Sequence, residues 1–593
     1  MSRAAVDRLA ATIVFGVWAV LFAGLLAYVW SFGNPLPFAD DWEFIPYLSG
    51  AEPVTFDWLW QQVAEHRHLA SKAYLLGLVR LAGGDFRSVI LVDALALGAL
   101  SLVAIRIASR LRGRISLADA FFPLILLNWG LRSYLLLAAD GAFHLLPTVL
   151  AIVLLLILAA QGSVARLSTG VLVGLLLMVL GLCSAGGILY AAILSVWLVL
   201  YARRLHRSPG PGARRDGWVV AALALANFLI VALFFVGYRS SDYGAAASPD
   251  LGVKLHVGSA YLAASFGTPI GWRYSGALVG LALLGGAVVL ADAVRNRRAR
   301  AAAACGLAFF MAAVVGLAFA IAWGREAMGV GHSLRYTALA IPTVVSAYFV
   351  WGLARPKPLG TIVQSVLCVC ALVAAGLNVG AGLEFARGHR AQMAEFERDL
   401  QARMPLYELV SKHKQTMVYW GTHDDMAGYV RAARDAGLGP FRRLPPDPAF
   451  REIPLPIEPA FSSGIIWNGS IARGTGVGSF VVFRLPEPMD VAGIRLVGSH
   501  SNHDNAEFRV VVRPTRGSRA PIPNFHRLSA WPGLSSVGGP FGEPPRPFTI
   551  YIAQTIEGFQ LYPDDGPFEF SLAEVVLLVP RDAEVPIPPE RKE

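Results

Sequence analysis

Apolar runs of about twenty residues recur along the first two thirds of the chain, separated by short polar stretches. Each can cross a hydrocarbon core of about 30 Å as a helix rising ~1.5 Å per residue. The first runs from Leu9 to Trp30. The others lie at about 88–109, 117–137, 142–160, 167–183, 187–202, 217–237, 276–294, 302–323, 335–354 and 359–383. Residues 1–385 are therefore expected to form a mainly α, polytopic membrane core of about eleven transmembrane helices. Two shorter patterns lie between the runs. From Leu69 to Gly83, Leu75, Leu76 and Val79 are apolar, Lys72 and Arg80 lie elsewhere on the helix, and Gly83-Gly84 stops it. This predicts a helix in the membrane interface. Gly258 to Phe266 predicts a second one, with Trp272 as an interfacial anchor.

The pattern changes after residue 385. Ala391 to Ser411 is polar and helical, and Val418 to Leu444 is mixed, so 386–450 is expected to be a connector outside the membrane. Beyond Pro446 the period becomes two, in the runs GSFVVFRL, GIRLVGS, EFRVVVRP, FTIYIA and EVVLLVP, with Pro- and Gly-rich turns between them. Residues 451–585 are expected to form a soluble β-sandwich of jelly-roll type, and the tail PIPPERKE to be disordered.

Of the 593 residues, 55% are hydrophobic and only 16% charged. A soluble chain carries about 25% charged residues, so a single water-soluble core is excluded. The net charge of +10 does not point to nucleic acid, because the arginines cluster in short loops between spans. The clusters are Arg106, Arg110, Arg112 and Arg114; Arg203, Arg204, Arg207, Arg214 and Arg215; Arg295, Arg297, Arg298 and Arg300; and Arg355 with Lys357. They are the positive-inside signal, and all four agree on a cytoplasmic N-terminus. The stretch Leu9 to Trp30 is too long for a signal-peptide core and lacks a small-residue cleavage site, so it reads as an uncleaved anchor. Outside then lie 32–87, the turn near Asp140, 238–275, 324–334, and everything after about 384. Arg67, Lys72, Arg80 and Arg87 run against the rule and are assigned to a folded outer loop. Cys183, Cys305, Cys368 and Cys370 all fall in apolar spans without metal-ligand spacing and read as small core residues.

Candidate chemistry concentrates in the outer segments. Asp40-Asp41, in PLPFADDWEF, follows the first span by about ten residues. Two adjacent carboxylates near lipid raise at least one pKa, which suits a general base. The same residues also suit a solvated turn with an Asp cap. Glu65-His66-Arg67-His68 offers donors and acceptors for a sugar or phosphate, or simply a polar helix N-terminus. Gly324-Arg325-Glu326 and Gly331-His332-Ser333-Leu334-Arg335-Tyr336 put arginines on the outer side, where an anionic headgroup gives them a reason. Interfacial snorkelling, with Tyr336 in an aromatic belt, is the plainer reading. Cys183 to Gly187 is a small-residue turn suited to close helix packing. His144 either faces the same cavity or is a satisfied core histidine.

Together these pieces resemble the GT-C superfamily of membrane glycosyltransferases, over roughly residues 10–390. The resemblance lies in the multi-span core, the acidic pair Asp40-Asp41 in the first outer loop, and the soluble C-terminal domain. An uncharacterised bacterial group is similar in three further places. These are Asp40 to Trp42 with Glu65 to Arg67; the turn Ser184 to Gly187; and Gly324-Arg325 with Ser333-Leu334-Arg335-Tyr336, where Leu334 interrupts the group's contiguous Ser-Arg-Tyr.

The resemblance implies an inverting glycosyltransferase in a bacterial cytoplasmic (inner) membrane. It would move sugar from a polyprenyl-phosphate donor to a cell-envelope glycan or glycolipid on the extracytoplasmic face. Asp40 would be the base, and Asp41 would position the acceptor or a cation. Arg325, Arg335, His332 and Tyr336 would hold the donor phosphate, and Glu65, His66, Arg67 and His144 would contact substrate. No resident cofactor is implied; Asp40 and Asp41 could ligate a magnesium or manganese ion with waters. Partners would be donor, acceptor and membrane lipids, with no nucleic acid. The rival readings are a lipid-linked glycan flippase, a polymer ligase, and a non-catalytic glycan-binding membrane protein.

Overall fold

A computed structural model describes residues 3–162, 164–209, 211–239, 250–267, 275–296, 300–324, 336–418, 421–468, 471–474, 479–500, 509–514, 526–527, 546–562 and 568–581. The chain divides into two compact units. One comprises Met1–Leu36 and Val54–Ala391; the other comprises Pro37–Pro53 and Gln392–Glu593.

The helices run in chain order as α1 (Arg3–Phe32), α2 (Ile45–Ser49), α3 (Phe56–Trp60), α4 (Leu69–Leu81), α5 (Arg87–Arg112), α6 (Phe121–Leu126), α7 (Ala138–Asp140), α8 (Leu146–Ala159) and α9 (Leu167–Gly181). They continue as α10 (Ala185–His206), α11 (Ala213–Phe234), α12 (Leu251–Ala264), α13 (Ser275–Asn296), α14 (Ala301–Gly324), α15 (Thr337–Trp351), α16 (Lys357–Gln401), α17 (Leu406–Met417) and α18 (His423–Asp435). Among the described residues, 8 helices are long and apolar enough to cross a membrane: α1, α5, the run Ala138–Ala159, α10, α11, α13, α14 and α16. The three other predicted spans fall on shorter apolar helices, Leu117–Leu131, Leu167–Gly181 and Thr337–Trp351. Local chemistry interrupts the first of them. Asn128 caps a 3₁₀ turn by accepting the Gly130 N–H at 2.8 Å, and Gly181 leads into the small-residue turn. α15 carries an internal proline, Pro342, and is buried at every residue but Leu339, as a central helix should be. Both predicted shorter helices are present, as α4 and α12; Trp272 lies outside the described residues.

Polar side chains tie the membrane helices through backbone carbonyls. Trp18 Nε1 donates to Gly98 O at 3.0 Å, Tyr28 Oη to Gly382 O at 3.0 Å, and Trp351 Nε1 to Ala282 O at 2.9 Å. At the far end of α5, Arg112 meets the fully buried Asp119, and Tyr348 Oη donates to the same carboxylate at 2.8 Å.

α16 runs for 45 residues, roughly 70 Å, well past the end expected for its span. The predicted polar helix at Ala391–Ser411 is thus the end of α16 and the start of α17. The break falls at Arg403, whose φ of 56° no helix tolerates, and Pro405 opens α17.

In the second unit, β3 (Phe450–Pro454), β4 (Phe461–Ser463), β5 (Ile465–Asn468), β6 (Ile471–Gly474), β7 (Phe480–His500), β8 (Arg509–Pro514), β9 (His526–Arg527), β10 (Arg546–Tyr562) and β11 (Phe568–Pro580) pair antiparallel in one network. The labels β1 (Gln62–Val63) and β2 (His66–Arg67) belong to a hairpin of the membrane unit. The chain's C-terminal part is thus a β-sheet domain, as its period-two runs predict. Two predicted strands, GSFVVFRL and GIRLVGS, fuse into β7. Its pairing with β10 jumps from Arg484↔Gly558 to Met489↔Ile556, so Leu485 to Pro488 leave the ladder. Pro486 and Pro488 have no N–H to donate, and this excursion is where the sheet accommodates them. Inside, Phe483 and Phe559 sit opposite each other and stack at 4.9 Å. α17 and α18 pack on β10: Ser411 Oγ donates to Ile552 O at 2.9 Å, and Asp424 accepts the Thr549 N–H at 2.7 Å. The predicted disordered tail lies outside the described residues.

Candidate functional site

The acidic pair sits on a 3₁₀ turn, Ala39–Phe44, entered through Ala39 at a positive φ of 51°. Asp41 Oδ2 accepts the Phe38 N–H at 3.1 Å, and the Asp41 N–H returns a bond to Phe38 O at 3.1 Å. This reciprocal cap leaves Asp41 only 2% exposed, while Asp40 is half-buried. Trp42 is fully buried. Its ring lies 6.4 Å from Tyr429 in a stacked pair, and meets Phe396 at 6.0 Å and Phe441 at 5.8 Å edge-on. α2 follows, with Pro46 in its first turn and Gly50 at φ 80° closing it. A hydrogen bond from Tyr47 to Glu52 spans the end of the loop; burial first, then Glu52 and Glu43, push the Tyr47 hydroxyl pKa up.

The membrane unit gathers a second group of candidates. The hairpin β1–β2 turns at Ala64, φ 49°, pairing Gln62 with Arg67 and Val63 with His66. Glu65 is half-buried at this turn. Arg67 directs Nε to Phe234 O at 3.1 Å, Nη1 to Trp60 O at 2.8 Å and Nη2 to Val236 O at 2.9 Å. Its guanidinium lies 5.1 Å from the Trp60 ring centroid. It therefore caps the C-terminal end of α11, where carbonyls lack helical partners. His66 Nδ1 accepts the Ala185 N–H at 3.3 Å, and His68 Nδ1 bonds Cys183 O at 2.7 Å. The two rings stand 5.1 Å apart, and His68 stacks on Phe143 at 4.3 Å. Burial, then the His66 charge, holds His68 well below the usual histidine range; His144 and Lys72 act in the same direction against the Cys183 carbonyl. His144 rides on a π-helical turn, Gly141–Leu145, with Nδ1 3.2 Å from Asp140 O and its ring 5.5 Å from Tyr134.

The structure thus brings His66, His68, His144 and the small-residue turn into one neighbourhood. Ser184 Oγ caps α10 by accepting the Gly187 N–H at 3.3 Å, and a Cβ on Gly187 would collide with Leu180 O. The glycine is required by close helix approach, as expected.

One group was missed in the sequence. Asp93, in α5, is 1% exposed and accepts from Tyr74 Oη at 2.7 Å through Oδ1. Its Oδ2 has no hydrogen-bond partner among the described residues and faces Gly141, where a Cβ would come within 2.8 Å. A lone aspartate inside an apolar run was the available signal.

Arg325, His332 and Arg335 lie outside the described residues. Tyr336 directly precedes α15 and meets the Tyr261 ring edge-on at 6.3 Å. Among the described residues, no three His, Cys, Asp or Glu side chains are grouped to hold a metal ion. Asp41 already uses Oδ2 for its cap, so a cation at the acidic pair would rest chiefly on Asp40 and waters.

No family model matches the chain, and no curated protein matches it. Among solved structures, the single-particle cryo-EM structure of arabinosyltransferase EmbB from Mycobacterium smegmatis is similar, with 11% identity and a TM-score of 0.34. The similarity covers 95% of this chain and 64% of that one, so the chain spans under two thirds of its neighbour's length.

Proposed function

We propose that this chain is an inverting membrane glycosyltransferase, moving a sugar from a polyprenyl-phosphate donor to a cell-envelope glycan or glycolipid on the extracytoplasmic face. The observation that carries the reading is the different treatment of two adjacent carboxylates. Asp41 is locked into its cap, and Asp40 is left half-buried on the same turn, a few residues beyond the end of a membrane-length helix. An acceptor hydroxyl must lose a proton as it attacks, and a partly desolvated carboxylate is suited to take it. Asp40 is the base in this reading, and Asp41 orients the turn. The leaving polyprenyl phosphate gains charge, which Arg325 and Arg335, with His332 and Tyr336, would neutralise. His66 and His144 are candidates for contact with the sugar, with Glu65 beside them; Arg67 acts by holding the hairpin to α11. If a magnesium or manganese ion is used, the acidic pair would hold it together with waters, and it would supply charge stabilisation for the departing phosphate.

In this orientation the N-terminus is cytoplasmic and the β-sheet domain extracytoplasmic, in a bacterial inner membrane. The test is transfer from synthetic polyprenyl-phosphate sugars by the purified protein in lipid vesicles. Asp40→Asn should abolish transfer while donor binding persists. A flippase would keep moving donor across the bilayer in that variant, and such a result overturns the reading.

A further inference from the structure

We propose that the C-terminal unit carries the catalytic carboxylate, and that Trp42, held by Phe396, Tyr429 and Phe441, is the positioning residue that aims Asp40. This rests on the reading of Asp40 as the base.

By sequence, residues 37–53 interrupt the membrane unit; by packing, they belong with residues 392–593. The loop cannot fold alone. It holds one 3₁₀ turn and the five-residue α2, both too short to be stable in isolation. Its apolar anchors, Trp42, Phe44 and Ile45, are all at most 1% exposed. A tryptophan side chain buries roughly 150–250 Å², so Trp42 is the largest of these anchors.

The geometry of the turn converts that anchoring into aim. A 3₁₀ helix has three residues per turn, so consecutive side chains leave the axis ~120° apart. Asp41 is directed back to the Phe38 N–H, and Trp42 is directed into three aromatic rings. With two of the three directions fixed, the backbone of the turn is fixed, and with it the direction in which Asp40 leaves the chain. Trp42 Nε1 has no acceptor among the described residues, so the grip is ring packing and not hydrogen bonding. Every ring in the grip comes from the polar helical segment: Phe396 from the end of α16, Tyr429 from α18, and Phe441 from the turn that follows it. That segment therefore does more than connect.

Positional error is costly in such chemistry: a shift of ~1 Å can lower turnover ~100-fold. Trp42→Ala should therefore reduce kcat about 100-fold with little change in KM for the lipid donor. Trp42→Phe, which keeps a ring, should recover most of it. Phe441→Ala, nearly 400 positions away in sequence, should reproduce the Trp42→Ala defect in kind. The decisive readout is the pH profile of kcat/KM. Its acidic limb should move in Trp42→Ala and Phe441→Ala, because the carboxylate changes surroundings. Active protein is counted in each variant by bound radiolabelled donor, so misfolding cannot imitate the effect. Wild-type turnover per bound donor, or a loss with an unmoved acidic limb, overturns the proposal. If Asp40→Asn itself retains turnover, the reading beneath it has failed instead.

Discussion

Arg112 and Asp119 face each other fork to fork, with Nη1 and Nη2 each 2.9 Å from a carboxylate oxygen, and the carboxylate is fully buried. The pair joins the end of α5 to the turn before α6, and Tyr348 brings α15 to the same point. Removing one partner leaves an uncompensated charge, at a cost of about 3–5 kcal/mol. Asp119→Ala should therefore lower the melting temperature of the detergent-solubilised protein, and Asp119→Ala with Arg112→Met should restore part of it. A neutral single variant would mean that the pair is solvated.

The two carboxylates of the acidic pair should separate under mutation. With Asp40 as the proposed base, Asp40→Asn should lower turnover about 10²–10⁴-fold with donor binding nearly intact. Asp41→Asn can still accept the Phe38 N–H and should cost about 1 kcal/mol of cap stability at most. Steady-state transfer by both variants checks this. Greater damage from Asp41→Asn reverses the assignment.

Arg325→Lys and Arg335→Lys should each raise the apparent KM for the lipid donor about tenfold, since a lysine cannot offer the planar fork. Titrating donor at saturating acceptor measures it. Normal donor affinity in both would reduce the segment to an interfacial anchor.

Membrane orientation is accessible to labelling. In a background lacking Cys183, Cys305, Cys368 and Cys370, Gly210→Cys should react with an impermeant maleimide only after the membrane is opened. His500→Cys should react in intact cells stripped of their outer layer. Both positions reacting from one side would sink the proposed topology.

Lys414, in α17, is 2% exposed, and its Nζ has no hydrogen-bond partner among the described residues. Burial pushes its ammonium down to about 8, against a smaller opposing pull from Asp425. Folded protein therefore loses this proton near pH 8, while unfolded chain holds it to about 10.4. Within that window the unfolded state binds more protons, so stability rises with pH. Lys414→Met should raise the unit's apparent melting temperature at pH 7 by a few degrees, at ~2–4 °C per kcal/mol, and flatten its rise between pH 8 and 10. Tryptophan fluorescence during heating follows it; an unaltered pH slope counts against the buried charge.

Period alone made most of the fold legible: each of the predicted spans lands on an apolar helix, and the period-two runs land on strands. What period cannot register is local interruption. Asn128 breaks the apolar run it occupies with a 3₁₀ turn, so the described residues there form shorter helices than the run's hydropathy suggests. Of the candidate residues, Asp40 in one unit and His66 and His144 in the other were visible as polar groups beside apolar runs. The capping role of Arg67 was not, because its partners at Phe234 and Val236 are far away in sequence. Trp42's partners are more distant still, and no spacing rule links residue 42 to residue 441.

That separation has a consequence for time. During synthesis at ~5–20 residues per second, the acidic turn emerges some 20–80 s before the rings that enclose its tryptophan exist. Through that interval the largest apolar side chain of the loop has none of its ring partners, and most of the membrane helices are still to be made. The carboxylate reaches its final surroundings only after nearly the whole membrane unit has been translated, so a nascent chain halted midway presents the acidic turn without the rings that hold it.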